Sequence, residues 1–398
     1  MQYCIDPKTS NKLSALGFGC MRFPRSLNTR IDMAKAEKLV MSAIERGVNY
    51  FDTAYSYFGS EEALGEILDK NSARAGVFLA TKLPYQRCKT YDDFDALFGV
   101  QLKRLRTDYI DYYLIHNLSE VAIWNKLCEL GIERWIEAKK ASGQIRRVGF
   151  SFHGAQKEFT ALIDAYPWDF CQIQYNYMNE NYQAGRVGLK SAYAKGMAVI
   201  VMEPLLGGKL ANGLPDKAAN LFKEAGGAAH GAPAEWALRW LWDQPEVSVV
   251  LSGMNSEAQL DENIRTAETS APGMLTAQDA EVFSKVIDVF SEYYKVDCTG
   301  CNYCMPCPNH VNIPGCFAAY NASYVTGFIS GMMQYLTSTG ANHPEKNYRG
   351  VNCTKCGHCT PLCPQHIEIP KMLEAVNKRL EPFWVRGTLN FMAARAKH

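Results

Sequence analysis

The sequence predicts an α/β protein, a closed (β/α)8 barrel followed by a C-terminal, mainly helical domain rich in cysteine. Three observations carry that expectation. From Leu13 to about Thr269, eight short β-branched and aromatic runs alternate with longer segments of helical period. Past Glu292 to Asp297 the composition turns abruptly to Cys, Pro, Gly and Asn. Nine of the 14 cysteines follow Asp297, which in a reducing compartment argues for metal rather than disulfides. The domains are therefore expected at residues 1–294 and 295–398.

Strand-like runs read at Ala15–Met21, Asn49–Ala54, Val77–Leu83, Ile110–His116, Arg147–Phe152, Phe170–Tyr175, Ala198–Pro204 and Val247–Met254. The helical patterns between them carry boundary residues: Asp32 before and Gly47 after the first, and Pro233 at a position suited to a first turn. Thr276 with Asp279 approximates a capping box before one more helix that ends near Tyr294. An open doubly wound sheet is the competing arrangement. The barrel makes the sharper statement about chemistry, because sites in that fold sit where strands end and βα loops begin.

Charge excludes some functions. With 42 basic and 41 acidic residues the net charge is +1, so neither nucleic acid nor an anionic membrane has an electrostatic claim on the chain. The start, MQYCIDPKTS, lacks the features of a secretory signal, and the expected location is the cytoplasm. The uncharged run Val311 to Asn342 is broken by Asn312, Gly315, Asn321 and Gln334, which favours buried helix over a membrane span.

Tyr50 to Gly59, YFDTAYSYFG, runs an apolar strand into Asp52 and delivers Tyr57 five residues later. A free phenol titrates near ~10, so Tyr57 can act as an acid at neutral pH only beside a cation and a hydrogen-bonding partner. Lys82 in FLATKL and His116 in DYYLIHN each close a strand-like run and can meet it there. Singly these residues have plain structural readings: a turn cap, a solvated strand end, a core histidine. Together, DTAYSY, LATK and YYLIH resemble the aldo-keto reductase superfamily over about two thirds of the chain. The resemblance implies Tyr57 as general acid/base, Lys82 and Asp52 as the pair that lowers its pKa, and His116 as the residue that orients a substrate carbonyl. Tyr55 does not fit the motif's offset.

The same resemblance implies a nicotinamide cofactor, NADP or NAD. Ser151 and Gln172 fall at the carboxamide positions, with Phe152 where the family has Asn and His153 as a substitute. Met202 falls where an aromatic residue usually covers the ring. Gly253, Gln259, Glu262 and Asn263 match the adenine-side loop, which lacks the usual basic residues, and Gly207 with Gly208 would let backbone approach the pyrophosphate.

Eight late cysteines form two runs, Cys298, Cys301, Cys304, Cys307-Pro308 and Cys353, Cys356, Cys359, Cys363-Pro364. The second has the bacterial ferredoxin spacing and the first is one residue short. Each leads into a similar octet, CPNHVNIP and CPQHIEIP, an internal repeat with Pro314 and Pro370 placed to start helices. In such repeats the Cys-Pro cysteine completes the other run's cluster. Two 4Fe-4S clusters are expected, one on Cys298, Cys301, Cys304 and Cys363, the other on Cys353, Cys356, Cys359 and Cys307, in the manner of helical dicluster ferredoxins. Structural zinc is the alternative.

The expected function is hydride transfer between NAD(P)H and a small-molecule carbonyl or alcohol, with clusters for electron transfer or structure and a ferredoxin-type protein as a candidate electron partner. The alternatives are a non-catalytic electron-transfer or docking protein on a degenerate barrel, and a ferredoxin-fed reductase. Trp124 and His230 are candidates to line the substrate pocket from long βα loops, 118–131 and 206–231.

Overall fold

The computed structural model describes residues 1–26, 30–226, 231–340, 347–382 and 385–386. The chain divides into two compact units, residues 1–205 with 234–276, and residues 206–233 with 277–398. The first opens with an antiparallel hairpin, β1 (Tyr3–Ile5) and β2 (Lys12–Ser14). Eight parallel strands follow: β3 (Leu16–Gly19), β4 (Tyr50–Asp52), β5 (Phe78–Leu83), β6 (Ile110–Ile115), β7 (Ile145–Phe152), β8 (Phe170–Gln174), β9 (Ala198–Met202) and β10 (Val249–Ser252). Because β10 pairs with both β9 and β3, the sheet closes and has no free edge. The (β/α)8 expectation holds, and the open sheet falls away.

Strand parity decides what faces inward. Tyr50, Ala80, Tyr112, Leu114 and Phe170 share the barrel interior, whereas Phe51, Leu79, Tyr113, Ile115, Phe150 and Cys171 pack outward in the core beneath the helices. Counting on by twos along each strand puts Asp52, Lys82, His116 and Gln172 on the inner face at the ends where the strands finish. At the opposite end, Tyr112 donates to Asp6 of the hairpin at 2.7 Å.

Seven helices dress the barrel as far as β9: α1 (Met33–Glu45), α2 (Ser60–Lys70), α3 (Tyr91–Leu105), α4 (Val121–Glu129), α5 (Ile132–Ala141), α6 (Gln156–Ala165) and α7 (Gly185–Ala194). Asp32 caps α1 by accepting from the Lys35 amide. Residues 121–129, expected as loop, are helical because Trp124 and Leu127 repeat at a spacing that buries one face. Trp124 is 2 % exposed and packs on Tyr166 and Trp168, so it is core rather than pocket lining. His230 lies outside the described residues.

The second unit contains α8 (Asp216–Gly226), within the other expected loop; α9 (Pro233–Trp242) and α10 (Glu257–Thr269) lie in the first unit apart from Pro233. Next come α11 (Ala277–Tyr293), α12 (Ile313–Val325), α13 (Phe328–Ser338) and α14 (Ile369–Leu380). The uncharged run thus forms two helices separated at Gly327, whose φ of 100° the intervening turn requires. Among the described residues no helix is long and apolar enough to cross a membrane. Pro314 and Pro370 open α12 and α14, so the repeated octets become equivalent helix starts.

Candidate active site and candidate metal centre

Asp52 and Lys82, neighbours on β4 and β5, meet inside the barrel with Lys82 Nζ 2.6 Å from Asp52 Oδ1 and 2.7 Å from the Thr53 carbonyl. Gln172 Nε2 donates to Asp52 Oδ2 at 2.9 Å. Burial pushes the Asp52 carboxyl up, while the Lys82 ammonium and the Gln172 amide hold its charge against that pressure. Tyr57 lies in the turn between β4 and α2, pinned by its amide to the Ala54 carbonyl and by its carbonyl to the Ser60 amide. Lys82 Nζ is 5.0 Å from the centre of the Tyr57 ring, and the His116 ring stands edge-on to it at 6.1 Å. All four residues singled out in the sequence come together at one end of the barrel.

His116 is 8 % exposed, and burial, aided by Lys82 and His153, holds its pKa well below 6.5. The ring is therefore neutral at neutral pH. An unfolded chain takes up that proton near pH 6.5, whereas the folded chain resists it, so the stability at stake is complete above that value and declines as pH falls through it. Urea midpoints measured from pH 7.5 down to about 5.5 should fall less steeply in His116→Asn than in the unsubstituted protein.

A buried network that the sequence reading missed ties these elements together. Glu61, on the first turn of α2, accepts from Thr81 Oγ1 at 2.7 Å, Gln101 Nε2 at 2.7 Å and Arg104 Nη1 at 3.1 Å. Gln101 also donates to the Lys82 carbonyl at 3.0 Å and accepts from Tyr113 at 2.7 Å. The helix that follows Tyr57 is thereby fastened to the strand that carries Lys82. Glu61→Ala would strand several buried partners and should cost about 3 kcal/mol in urea unfolding at neutral pH, with Glu61→Gln costing less.

The cofactor candidates are dispersed in role. Ser151 Oγ accepts from the Asn117 amide at 2.8 Å, which leaves its own proton to be donated elsewhere. His153 Nδ1 lies 3.1 Å from Gln183 Oε1. Phe152 faces outward and meets Phe159 edge-on at 5.0 Å between ring centres. Met202 is partly exposed and pairs in register with Gln174. Gly253 lies under the Arg22 side chain, whose carbons would be 3.1–3.3 Å from a Cβ at that position. Gln259 Oε1 accepts from the Asn255 amide at 2.9 Å, and Asn263 Nδ2 donates to Ser252 Oγ at 2.9 Å. The Glu262 carboxyl is raised by burial and by Glu235. Gly207 belongs to the second unit, where its φ of 71° and a hypothetical Cβ 2.5 Å from the Thr299 carbonyl require glycine. The close approach it permits is to the cysteine loop.

The barrel residues fit a polar ligand of amide type. Gln172 Oε1 and both amide atoms of Gln174 are buried with no hydrogen-bond partner among the described residues. Such orphaned groups are rare in folded proteins.

In the second unit Cys298, Cys301, Cys304 and Cys363 line one pocket together with Ile313, Phe317 and Ile367. That combination draws three cysteines from one run and one from the other. Of the second combination, Cys353 and Cys307 lie near enough to Cys359 to add to the burial that raises its thiol pKa. Asn309, next to the first Cys-Pro pair, donates to Thr354 Oγ1 at 2.9 Å in the second run. Among the described residues no three His, Cys, Asp or Glu side chains are grouped to hold a metal ion; the four cysteines instead share the lining of one pocket. Four sulfurs around an apolar chamber fit a cubane cluster, whose body fills the middle.

The sequence profile of the Aldo/keto reductase family matches residues 15–277, and that of the 4Fe-4S dicluster domain matches residues 297–368. The uncharacterized oxidoreductase YrpG of Bacillus subtilis (strain 168) is 25% identical over 333 residues, 73% of this chain and 96% of its own. The L-galactose dehydrogenase of Arabidopsis thaliana is 28% identical, with 70% of this chain and 91% of its own covered. Among solved structures, aldo-keto reductase AKR11C1 from Bacillus halodurans in its holo form superposes with a TM-score of 0.58 at 24% identity, over 72% of this chain and 96% of that one. An aldo-keto reductase from Klebsiella pneumoniae in complex with NADPH gives 0.58 at 20% identity, over 72% of this chain and 95% of that one; both likenesses speak to the fold. The chain is an oxidoreductase of the aldo/keto reductase family that carries a C-terminal 4Fe-4S dicluster domain.

Proposed function

We propose that the protein interconverts a small-molecule carbonyl and its alcohol with NADPH or NADH, residues 1–294 doing this chemistry and residues 295–398 holding two 4Fe-4S clusters. What carries the reading is the convergence of Tyr57, Lys82, Asp52 and His116 at one end of the barrel. A bound nicotinamide supplies or accepts the hydride. In the reducing direction Tyr57 gives its phenolic proton to the substrate oxygen as charge develops there. Lys82, held by Asp52 and the Thr53 carbonyl, stabilises the phenolate that remains, and Gln172 keeps Asp52 in place. The neutral His116 ring offers the same oxygen an N–H and fixes its direction. Support for NADPH comes from the Klebsiella pneumoniae relative bound to it.

The clusters would rest on Cys298, Cys301, Cys304 and Cys363, and on Cys353, Cys356, Cys359 and Cys307. They supply one-electron chemistry. Cys356 is exposed, which favours electron exchange at that surface with a ferredoxin-type partner over a purely structural role. Clusters of this kind survive in a reducing compartment, so the proposed location is cytoplasmic.

Anaerobic purification tests the whole reading. Iron and sulfide, rather than zinc, should be found, and tryptophan fluorescence should be quenched on titration with NADPH or NADH. Oxidation of the nicotinamide should follow across a panel of aldehydes and ketones. Failure of both nicotinamides to bind would remove the hydride-transfer reading.

A further inference from the structure

Gln172 and Gln174 lie two apart on β8 and so share its inner face. Gln172 has committed its Nε2 to Asp52, which leaves Oε1 as an acceptor only. Gln174 is 1 % exposed, and neither its Oε1 nor its Nε2 has a partner among the described residues. A fold that gained nothing from this amide would be better served by leucine or methionine, since a buried amide without partners destabilises it. The orphaned atoms point to a group that arrives later.

The chemistry of that group follows from what is missing. It must give a proton to Gln172 Oε1 and accept one from Gln174 Nε2, which a primary carboxamide does with its NH2 and its carbonyl. Same-face neighbours on a strand are ~6.7 Å apart, a gap that one amide bridges with a hydrogen bond of ~2.9 Å at each end. Of the other groups at this end, Ser151, in register beside Gln172, keeps a hydroxyl proton that the second lone pair of the same carbonyl can accept. Phe152 carries no donor and faces outward, and His153 Nδ1 is engaged with Gln183. Met202, beside Gln174 in register and partly exposed, is a flexible thioether able to yield to an entering ring.

Resting on the proposed hydride-transfer function, we infer that Gln174 is a cofactor-binding residue: its side-chain N–H donates to the carbonyl of the nicotinamide carboxamide while Gln172 accepts from the amide nitrogen. Since Gln172 also holds Asp52, this pair of glutamines sets the nicotinamide's angle relative to the residues that handle the proton.

Gln174→Met, similar in length and apolar, separates this role from packing. Without cofactor the variant should melt at the same temperature as the unsubstituted protein or higher, because the orphaned amide is gone. The dissociation constant for NADPH, measured by fluorescence quenching, should nevertheless rise about tenfold. The reduced 3-acetylpyridine analogue keeps the carbonyl and lacks the amide N–H, so its affinity should fall by the same factor. Unchanged NADPH affinity in Gln174→Met would overturn the inference and leave the hydride-transfer reading standing. A loss confined to the carboxamide form would overturn the donor role assigned to Gln174. Absence of nicotinamide binding in the unsubstituted protein overturns both.

Discussion

Tyr57→Phe should lower kcat for carbonyl reduction by about a hundredfold to ten-thousandfold, the usual worth of a positioned general acid, with the nicotinamide dissociation constant unchanged within about twofold. The reason is local. Phenylalanine keeps the ring that stands against His116 and under Lys82 and removes only the proton. Stability should therefore barely move. Lys82→Met acts differently, because it leaves the Asp52 carboxylate buried with Gln172 alone among the described residues to donate to it, and a comparable loss of rate should come with a lower melting temperature. Stopped-flow measurement of the hydride step distinguishes a chemical defect from slow release. Full activity in Tyr57→Phe would remove the tyrosine from its proposed role.

Cysteine substitutions in the second unit should remove iron in halves. Cys363→Ser takes one thiolate from the cavity it lines with Cys298, Cys301 and Cys304, and anaerobic protein should lose about half of its iron and sulfide. Combining Cys363→Ser with Cys304→Ser should remove no more than either alone, because in the proposed ligation both serve one cluster. Combining Cys363→Ser with Cys353→Ser should empty both sites. Were each Cys-Pro cysteine to serve its own run, those two outcomes would be exchanged. Loss of a cluster also withdraws binding energy from the fold around it, so the doubly emptied protein should show earlier unfolding of the helices that pack about Phe317 and Leu373.

Much of the site was legible because strand ends advertise themselves. Asp52, Lys82 and His116 each close an apolar run, and period-two counting turns that position into an inward direction. Gln174 was readable by the same rule, as the second glutamine of QIQ, but with no way to know that its amide goes unpartnered. Trp124 shows the opposite failure. A tryptophan in an expected loop suggests a pocket wall, and only the packing of α4 against Tyr166 and Trp168 makes it core. The family resemblance implies that Gly207 approaches a pyrophosphate, whereas the backbone it accommodates is Thr299, 92 residues further along the chain.

Local chemistry and periodicity, with the family resemblance that the motifs carry, were enough for the eight-stranded barrel, for Asp52, Lys82 and His116 near its strand ends with Tyr57 in the turn that follows, and for the two cysteine runs with their proline-started helices. These are short-range properties, written in spacing and parity. The tertiary structure decided which polar atoms find partners: the bond from Gln172 to Asp52, the Glu61 network that fastens α2 to Lys82, the unsatisfied amide of Gln174, and the gathering of Cys363 with the first cysteine run. The contacts among these join residues tens of positions apart or more, and a hydrogen bond depends on a few tenths of an ångström that strand order, closure and helix packing together impose.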